Sequence, residues 1–491
     1  MTQPHASMRA LARGGRHNVL GFLLRLGARI PFLFIAGRLY GAEELGRFAY
    51  AVAIVEFAAA LAMLGLKRGL AAALANNRRR PDMHVVADGL LLVLLAGAAA
   101  AALLAAFPGL LFPNSPVTPA MRLLPLVVLF IVVSDLTLTA LAFRHRIDAQ
   151  VRARAIIEPW VLTVSATVIA FSPSASNGLL IAYALSLAAA AAASAVPCLR
   201  AFGWPGGWRP SAARLSALAR ANLPLAGADA IEWSIRRVDV LILGRLAPAD
   251  VVGVYYVAQQ IASLAGRLRT SFDPILAPLL SVAMAERRQA DAARDISQVG
   301  FWVMSVQFPV VLALGLTAES TMGLFGPEFA AGAVVLALLL VAELLGTPGA
   351  ISETGLVYVR PRGNLIVSAA SILLAAAVTW TLVPAIGSAG AALGLLAALF
   401  FASIARAGLL RQALGRPAPV WRGSLLVAAV PAFAVGLAAR TLPELWMMVL
   451  GIPAILGAYA VVIWHRGYGP EDRLLFRAAR QGRPDMGEET G

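Results

Sequence analysis

Two arginines stand at matching positions of a sequence that repeats itself. Arg236 begins an apolar segment that ends at Ala258, and a similar segment begins at Arg29, 207 residues earlier (236 − 29). Guanidinium groups stay charged when desolvated, and their forked N–H groups match the oxygens of a phosphate. The pair therefore predicts a site for an anion, particularly a phosphate, between two related halves of the chain. The other matched residues are Gly37-Arg38-Leu39 with Gly244-Arg245-Leu246, and Gly46 with Gly253.

Further polar residues follow these arginines at helical spacing. Arg25 is one helical turn from Arg29, so both side chains are expected on one face. At about 100° per residue, one stripe of the helix holds Asp229, Glu232, Arg236 and Asp239, while Arg237 points elsewhere. A polar face follows in the next segment. Such faces line a bundle interior or a wet cavity, because each charge costs about 2.5–3.5 kcal/mol in hydrocarbon. The predicted substrate-binding residues of this cavity are Arg25, Arg29, Glu232, Arg236, Asp239, Gln260 and Arg267.

Ion pairing between helices is the alternative role for these charges. Arg236 could pair with Glu232 or Asp239, whereas the helix that carries Arg29 offers no acid. The partner of Arg29 must therefore be a ligand or an acid from another helix. Intramembrane acids could also bind a proton or a sodium ion that drives transport, or simply bind a neighbouring helix. The candidates for such ion coupling are Glu56, Asp135 and Glu343.

The composition is that of a polytopic membrane protein. Of the 491 residues, 59% are hydrophobic and 14% are charged, and the mean hydropathy is +0.77. Soluble domains are only about half apolar. A single cysteine, Cys198, excludes an internal disulfide, and without a Cys/His cluster we expect no metal and no cofactor. No GxxxxGK[ST], HExxH or GxSxG motif lies on a suitable element, so we do not expect an enzyme.

Fourteen apolar runs approach the length of about 20 residues that a membrane span requires. Lys and Arg concentrate at both termini and in the connections that follow the even-numbered runs, among them Lys67, Arg68 and Arg154. The positive-inside rule places these parts in the cytoplasm. The net charge of +15 thus marks one membrane face, and no nucleic-acid partner is expected. The chain is predicted to cross a membrane many times, with both termini cytoplasmic. The runs are 18–40, 45–70, 85–107, 121–143, 156–171, 178–199, 222–246, 251–280, 297–317, 329–350, 365–383, 389–410, 425–440 and 445–464.

The repeat divides these runs into two sets of six with the same orientation. Parallel repeats related by an axis along the membrane normal commonly hold a substrate between the halves. We therefore predict an all-α polytopic membrane protein with two pseudo-symmetric six-helix lobes and two additional C-terminal helices. The predicted units are an N-terminal lobe at 1–199, a cytoplasmic linker at 200–220, a C-terminal lobe at 221–412, two additional helices at 413–465 and a basic cytoplasmic tail at 466–491.

The repeated segments resemble polysaccharide and O-antigen exporters of the multidrug/oligosaccharidyl-lipid/polysaccharide exporter superfamily. The likeness lies in GRLYGAEELGRFAYA, which begins at Gly37, and in RRVDVLILGRLAPADVVGVYYVAQQIASLAGRLRTSFDPILAPLLS, which begins at Arg236. It implies two six-helix lobes around a V-shaped cavity that flip a lipid-linked sugar from the cytoplasmic to the outer leaflet. The residues at the family's typical positions are Arg237, Asp239, Gly253, Tyr255, Pro278 and Ser281.

This resemblance also implies a substrate and partners. The substrate would be a polyprenyl-diphosphate-linked oligosaccharide, the repeat unit of an O-antigen or exopolysaccharide, moved by alternating access. Cavity arginines would bind its anionic head, while Gln and Ser side chains would bind its sugars. The implied partners are membrane lipids, a polysaccharide polymerase and glycosyltransferases.

Three other functions are alternatives to that of a polysaccharide exporter. A drug/cation antiporter of the same superfamily would favour acids in its cavity, whereas arginines dominate the first run. A flippase for the peptidoglycan precursor lipid II needs the same diphosphate site, so it stays open. A sugar polymerase or ligase usually has a sizeable outer loop, which this sequence lacks. The identity of the sugar and of the coupling ion stays open as well.

Overall fold

The computed structural model describes most of the chain. The described residues are 3–77, 80–113, 118, 121–173, 175–235, 237–271, 276, 280, 282–283, 286, 288–469 and 472. Side chains are described from residue 30 onwards, except at residues 147, 270 and 271.

Helices account for the regular structure throughout the described ranges, which confirms the predicted all-α class. Hydrocarbon offers no water, so a spanning segment must satisfy its own backbone N–H and C=O groups. The predicted runs fall on helices wherever the chain is described, apart from short breaks. The α-helices are α1 (Gln3–Ala62), α2 (Leu66–Ala75), α3 (Asp82–Ala106), α4 (Val127–Phe143), α5 (Ile147–Gln150), α6 (Glu158–Ala170), α7 (Gly178–Phe202), α8 (Ala212–Ile235), α9 (Val238–Leu246), α10 (Ala249–Arg267), α11 (Gln289–Leu316), α12 (Ala318–Gly323), α13 (Ala333–Val359), α14 (Pro361–Ile386), α15 (Ser388–Leu414), α16 (Gly423–Ala439), α17 (Glu444–Trp446) and α18 (Ile452–Val462).

Ten helical segments of the described chain are long and apolar enough to cross a membrane. One of them, Ile30–Ala75, contains parts of two predicted runs, because the helix passes through a kink at Gly41. Gly41 has φ 78° and ψ 176°, a conformation that glycine adopts without steric cost. Helix α16 is apolar but shorter than the others, as its run in the sequence indicates.

The helices pack in two groups that follow the repeat. In the first half α4 packs against α3 and α7, and α6 packs against α7. In the second half α15 packs against α13 and α14, and α13 packs against α10. Helices α16 and α18 pack against each other and against α11. The halves meet chiefly where α1 packs against α10 and where α1 and α2 pack against α8, so α1 is the main contact between them.

The seventh predicted run is two helices, which corrects the expectation of one continuous stripe. Helix α8 ends at Ile235, and α9 begins at Val238. Arg237 stands between them with φ −140° and ψ −9°, outside the helical region. The break changes the direction of the side chains that follow it. Asp239 therefore does not continue the face that carries Glu232.

The connection between the halves is tied to α3. Asp88 is 2% exposed, and its carboxylate accepts hydrogen bonds from Arg80 at 2.8 Å and from the Trp208 indole at 2.9 Å. Arg214, near the start of α8, donates to the same carboxylate at 3.2 Å. A buried carboxylate is stable only with such partners, so the linker packs against the first half.

Candidate functional site

Charged side chains from both halves meet where α1, α2, α4, α6, α8 and α9 come together. Five carboxylates and four cations form this group, which we name the inter-lobe cluster. Its ion pairs link residues from distant parts of the sequence, and several members keep access to solvent. The members are Glu56, Lys67, Arg68, Asp135, Arg154, Glu158, Asp229, Glu232 and Arg237.

Arg154 is one of three cations that the first half contributes to the cluster, together with Lys67 and Arg68. It donates to Glu158 at 2.6 Å and forms a second, short contact with Asp135 on α4. Lys67 approaches the other oxygen of Asp135 at 3.8 Å. Arg154 lies in a π-helical stretch, Val151–Ile157, whose wider turn accommodates one more residue than an α-helix. Such stretches occur often at functional sites, and here the stretch aims Arg154 between two acids.

Arg237 is the described cation that the second half contributes to the inter-lobe cluster. The helix break leaves it between α8 and α9, where its Nη2 lies 3.5 Å from the Oε2 of Glu56 on α1. The side chain of Arg237 is 22% exposed and that of Glu56 is 35% exposed. This pair joins the halves while remaining in reach of water.

Arg68 makes the second ionic connection between the halves. From the start of α2 its Nε contacts Asp229 at 2.8 Å, and its Nη2 contacts Glu232 at 2.6 Å. The side chains of Arg68 and Glu232 are 51% and 60% exposed. Exposed ion pairs contribute only about 0–1 kcal/mol. An anionic ligand can therefore displace these carboxylates from the arginine at low cost.

The structure brings together only part of the site predicted from the sequence. Glu232 belongs to the inter-lobe cluster, and the predicted coupling acids Glu56 and Asp135 pair there with Arg237, Lys67 and Arg154. The side chains of three predicted residues lie outside the described part of the chain, so their role stays a prediction. They are Arg25, Arg29 and Arg236.

The remaining predicted residues lie outside the cluster. Gln260 is 3% exposed within α10, and Arg267 is exposed at the end of that helix. Glu343 lies on α13 beside Gly266, where a Cβ atom would meet its Oε2 at 2.0 Å. Asp239 is fully buried at the start of α9. We expect Asp239 to stabilise the folded protein rather than to bind substrate, because its carboxylate already has hydrogen-bond partners.

Three donors satisfy the carboxylate of Asp239. They are the Tyr255 hydroxyl at 2.5 Å, the Gln259 amide at 2.8 Å and the backbone N–H of Val240 at 2.8 Å. Asp239→Ala leaves these buried donors unpaired, so we expect a loss of unfolding free energy of about 2 kcal/mol or more. Thermal unfolding of the purified protein in detergent checks this expectation.

Asp250→Ala is the control for this measurement, because Asp250 is exposed at the start of α10. We expect its melting temperature to equal that of the parent. If Asp239→Ala melts like the parent but no longer transports substrate, the cavity role predicted from the sequence is the better assignment.

A buried arginine outside the inter-lobe cluster lies in the second half. Arg406 is 7% exposed on α15 and bonds to Asn364 at 2.9 Å, to Ser368 at 2.9 Å and to Glu353 at 3.0 and 3.2 Å. These bonds tie α13, α14 and α15 together, so Arg406 serves the packing of that half. Sequence reasoning missed it, although an arginine within an apolar run was a visible signal.

Sequence reasoning also missed most cations of the inter-lobe cluster. Lys67, Arg68 and Arg154 were counted only as charges of cytoplasmic connections, and Arg237 was expected to point away from the polar stripe. The available signal was spacing, because Arg154 precedes Glu158 by four residues, the distance at which helical side chains pair.

The sequence matches a protein family over most of the region that holds the cluster. The family described as "Polysaccharide biosynthesis protein" matches residues 35–329, more than half of the 491 residues. The chain belongs to this family. No relative was found among curated protein sequences.

Solved structures with a similar fold include members of one transporter superfamily. The lipid II flippase MurJ in an inward closed conformation matches with a TM-score of 0.75 and 10% identity, over 94% of this chain and 100% of that one. An inward-facing multidrug resistance MATE transporter of the MOP superfamily matches with a TM-score of 0.64 and 15% identity, over 80% and 98%. A MOP superfamily transporter from Pyrococcus furiosus Vc1 matches with a TM-score of 0.53 and 15% identity, over 84% and 95%.

These likenesses establish the fold of this family member. It is a multi-pass, all-α membrane protein with the MurJ/MATE-like transporter architecture, as predicted from its sequence. The solved structures that share this fold are a flippase and transporters by their own titles. The inter-lobe cluster lies within this architecture on both sides of the boundary between the halves.

Proposed function

We propose that this family member is a flippase for a polyprenyl-diphosphate-linked oligosaccharide, the repeat unit of a cell-surface polysaccharide. It moves the lipid-linked glycan from the cytoplasmic to the outer leaflet of a bacterial inner membrane. The observation that supports this proposal is the inter-lobe cluster. Arg68 and Arg154 from the first half and Arg237 from the second lie within one charged group between the halves.

Ligand exchange at these arginines is the proposed binding step. In the structure carboxylates hold the guanidinium groups of Arg68, Arg154 and Arg237, so the charge of each is compensated. A diphosphate offers more oxygens and more negative charge than one carboxylate, and it can bind guanidinium groups bidentately. The head group therefore takes the place of carboxylates such as Glu56 and Glu232. Because it contacts arginines of both halves, it draws the halves together around itself.

The carboxylates of the cluster are proposed to bind the coupling ion in the same step. Once a carboxylate loses its arginine to the substrate, its charge is no longer compensated, and taking up a proton or a cation becomes favourable. Glu56 and Asp135 are the predicted coupling residues that this exchange releases. Release of the substrate at the outer face restores the ion pairs.

The described carboxylates of the cluster argue against a cation as substrate. Each of the five is bonded to an arginine or lysine, so none offers a free anionic site. A drug/cation antiporter would have to break these pairs and leave the arginines uncompensated. A lipid II flippase is compatible with the same cluster, since lipid II also carries a diphosphate, and the proposed test includes it.

Transport by the purified protein in liposomes tests the proposed function. Vesicles contain a short polyprenyl-diphosphate oligosaccharide with a fluorescent sugar, and a membrane-impermeant reductant added outside quenches the sugars that have reached the outer leaflet. We expect the protein to accelerate quenching beyond the half that is accessible at the start. Arg154→Gln and Arg68→Gln should slow it, because each removes a charged partner of the diphosphate.

Three comparisons make this test specific. The same glycan on a neutral polyprenol should not be flipped, because it lacks the anionic head. Lipid II flipped faster than the oligosaccharide lipid would favour the alternative substrate. Arg362→Gln, an exposed change at the start of α14, should flip the lipid at the parent rate. If the neutral lipid is flipped as fast as the diphosphate lipid, the anion site plays no part and the proposal is wrong.

A further inference from the structure

An aromatic pair joins the two halves beside the inter-lobe cluster. The ring centroids of Phe57 on α1 and Trp233 on α8 lie 4.7 Å apart, with an angle of 32° between the ring planes. Phe57 directly follows Glu56 in the sequence, and Trp233 directly follows Glu232. Each ring is therefore the sequence neighbour of a carboxylate of the cluster.

The Trp233 ring lies between two arginines that the proposed binding step assigns to the diphosphate. It directly follows Glu232, which is bonded to Arg68. It precedes Arg237, the partner of Glu56, by four residues, which is about 6 Å at a helical rise of 1.5 Å per residue. A sugar joined directly to a diphosphate at these arginines therefore reaches the aromatic pair.

Both rings of this pair keep part of their surface exposed. They differ in this from Phe48 and Tyr256, an edge-to-face pair that joins α1 to α10 and whose residues are 2% and 7% exposed. The Glu232 side chain beside Trp233 is 60% exposed. Because a carboxylate is costly in hydrocarbon, the accessible surface beside it faces an aqueous space. The exposed part of the pair is therefore available to a water-soluble group.

A sugar ring matches both parts of this surface. The face of a pyranose presents C–H groups, which are apolar and slightly positive, whereas the face of an aromatic ring is negative. The hydroxyl groups at the edge of the sugar are hydrogen-bond donors. Asp229 and Glu232 are acceptors for them once the diphosphate has taken Arg68. A lipid chain could cover the rings but would give these carboxylates no donors.

We propose that Phe57 and Trp233 form a sugar-binding platform for the monosaccharide that is attached directly to the diphosphate. The sugar ring stacks on the aromatic pair, and Asp229 and Glu232 accept hydrogen bonds from its hydroxyl groups. This inference rests on the proposed function, since the arginines of the cluster place the diphosphate beside the platform. The arginines bind the head group of any diphosphate lipid, whereas the platform distinguishes a lipid that carries a sugar from one that does not.

Binding of two lipids of equal charge tests the platform. One is a short-chain polyprenyl diphosphate that carries a single glucose, whose equatorial ring hydroxyls leave both faces to C–H groups. In the other, a methyl ester replaces the glucose on the terminal phosphate. Both carry a fluorophore at the far end of the chain, and fluorescence anisotropy with the protein in nanodiscs gives the two dissociation constants. We expect the parent to bind the glucose lipid about tenfold more tightly, which corresponds to about 1.4 kcal/mol.

Variants of the two rings locate the source of this preference. Trp233→Leu and Phe57→Leu keep an apolar side chain but remove a ring, so each should lose most of the preference for the glucose lipid. Trp233→Phe keeps a ring and should retain part of it. Trp421→Leu is the matched control, because it removes a ring that contacts Phe308 at 6.0 Å outside the cluster. We expect this control to keep the preference of the parent.

Thermal unfolding verifies that each variant is folded, and if Trp233→Leu does not fold, Phe57→Leu carries the same test on the other helix. Equal binding of the two lipids by the parent overturns the platform, as does a full preference in the folded leucine variants. Loss of the preference in Trp421→Leu as well would also overturn it. Arg154→Gln should weaken both lipids by the same factor. If Arg154→Gln binds both lipids like the parent while Trp233→Leu loses the preference, the proposed anion site is wrong and the platform stands.

Discussion

Replacing Arg237 with alanine is expected to reduce glycan export about tenfold or more while leaving the protein in the membrane. A hydrogen bond to a charged group contributes about 1.5–3 kcal/mol, and each 1.4 kcal/mol is a factor of ten. Arg237 is the described arginine that the second half contributes to the inter-lobe cluster. Under the proposed binding step, the diphosphate would then contact the described arginines of the first half alone and would not draw the halves together.

Export is measured as cell-surface polysaccharide in a strain that lacks its own exporter, and membrane content is measured by immunoblot. Arg237→Lys should restore export only in part, because an ammonium group keeps the charge but lacks the forked geometry of a guanidinium. Arg440→Ala is the control, since Arg440 is exposed beyond the end of α16. Export at the parent level by Arg237→Ala would exclude this residue from the binding site.

A double variant separates the loss of substrate binding from the effect of leaving the Glu56 carboxylate without its ion-pair partner. In Arg237→Ala, the half-buried Glu56 loses its described ion-pair partner, and that loss alone could disturb the packing of the halves. Glu56→Gln removes the charge that would be left. If the defect of Arg237→Ala came from the uncompensated carboxylate, the double variant would export normally. We expect it to remain defective, because the diphosphate still lacks its arginine.

The fold could be predicted from the sequence because its causes are local. An apolar run of about 20 residues can satisfy its backbone in a membrane only as a helix, and the predicted runs fall on helices. The match of Gly46 with Gly253 indicated two related halves before their contact was known. The two glycines then proved to lie at the interface between α1 and α10. Sequence periodicity did not show that they face each other.

The candidate site could be predicted only in part because its contacts are distant in the sequence. Arg68 meets Asp229 across 161 residues (229 − 68), and spacing along one helix gives no information about such a pair. The positive-inside rule assigned Arg68 to a cytoplasmic connection, where most such charges are solvated. The packing of α2 against α8 instead places it beside two acids of the other half.

The helix break at Arg237 explains why Glu232 and Asp239 do not share one face. Uniform helical geometry predicted one polar stripe from Glu232 to Asp239. The residues around the break, 232–240, contain neither Gly nor Pro, so no ordinary helix-breaking signal announced it. The consequence is an exchange of roles, in which Arg237 reaches the cluster and Asp239 is buried among Tyr255 and Gln259.

Replacing Arg29 and Arg236 together with alanine is expected to abolish export while leaving membrane insertion intact. The two residues match in the repeat, so related halves would present one guanidinium each to the anionic head. The described cluster contains five carboxylates and four cations. Further arginines are therefore needed to make the cavity favourable for a diphosphate. Loss of two charged partners at about 1.5–3 kcal/mol each corresponds to a reduction of a hundredfold or more.

A second repeat-related pair provides the matched control for this double variant. Arg38 and Arg245 are also 207 residues apart (245 − 38) and lie on the same two runs, and both residues are exposed. Arg38→Ala with Arg245→Ala removes the same number of charges, and we expect it to keep most of the export. Lysine at positions 29 and 236 should recover part of the lost export. If the control pair is as defective as Arg29→Ala with Arg236→Ala, total charge rather than a positioned anion site governs transport. Normal export by the latter would exclude both residues from binding the head group.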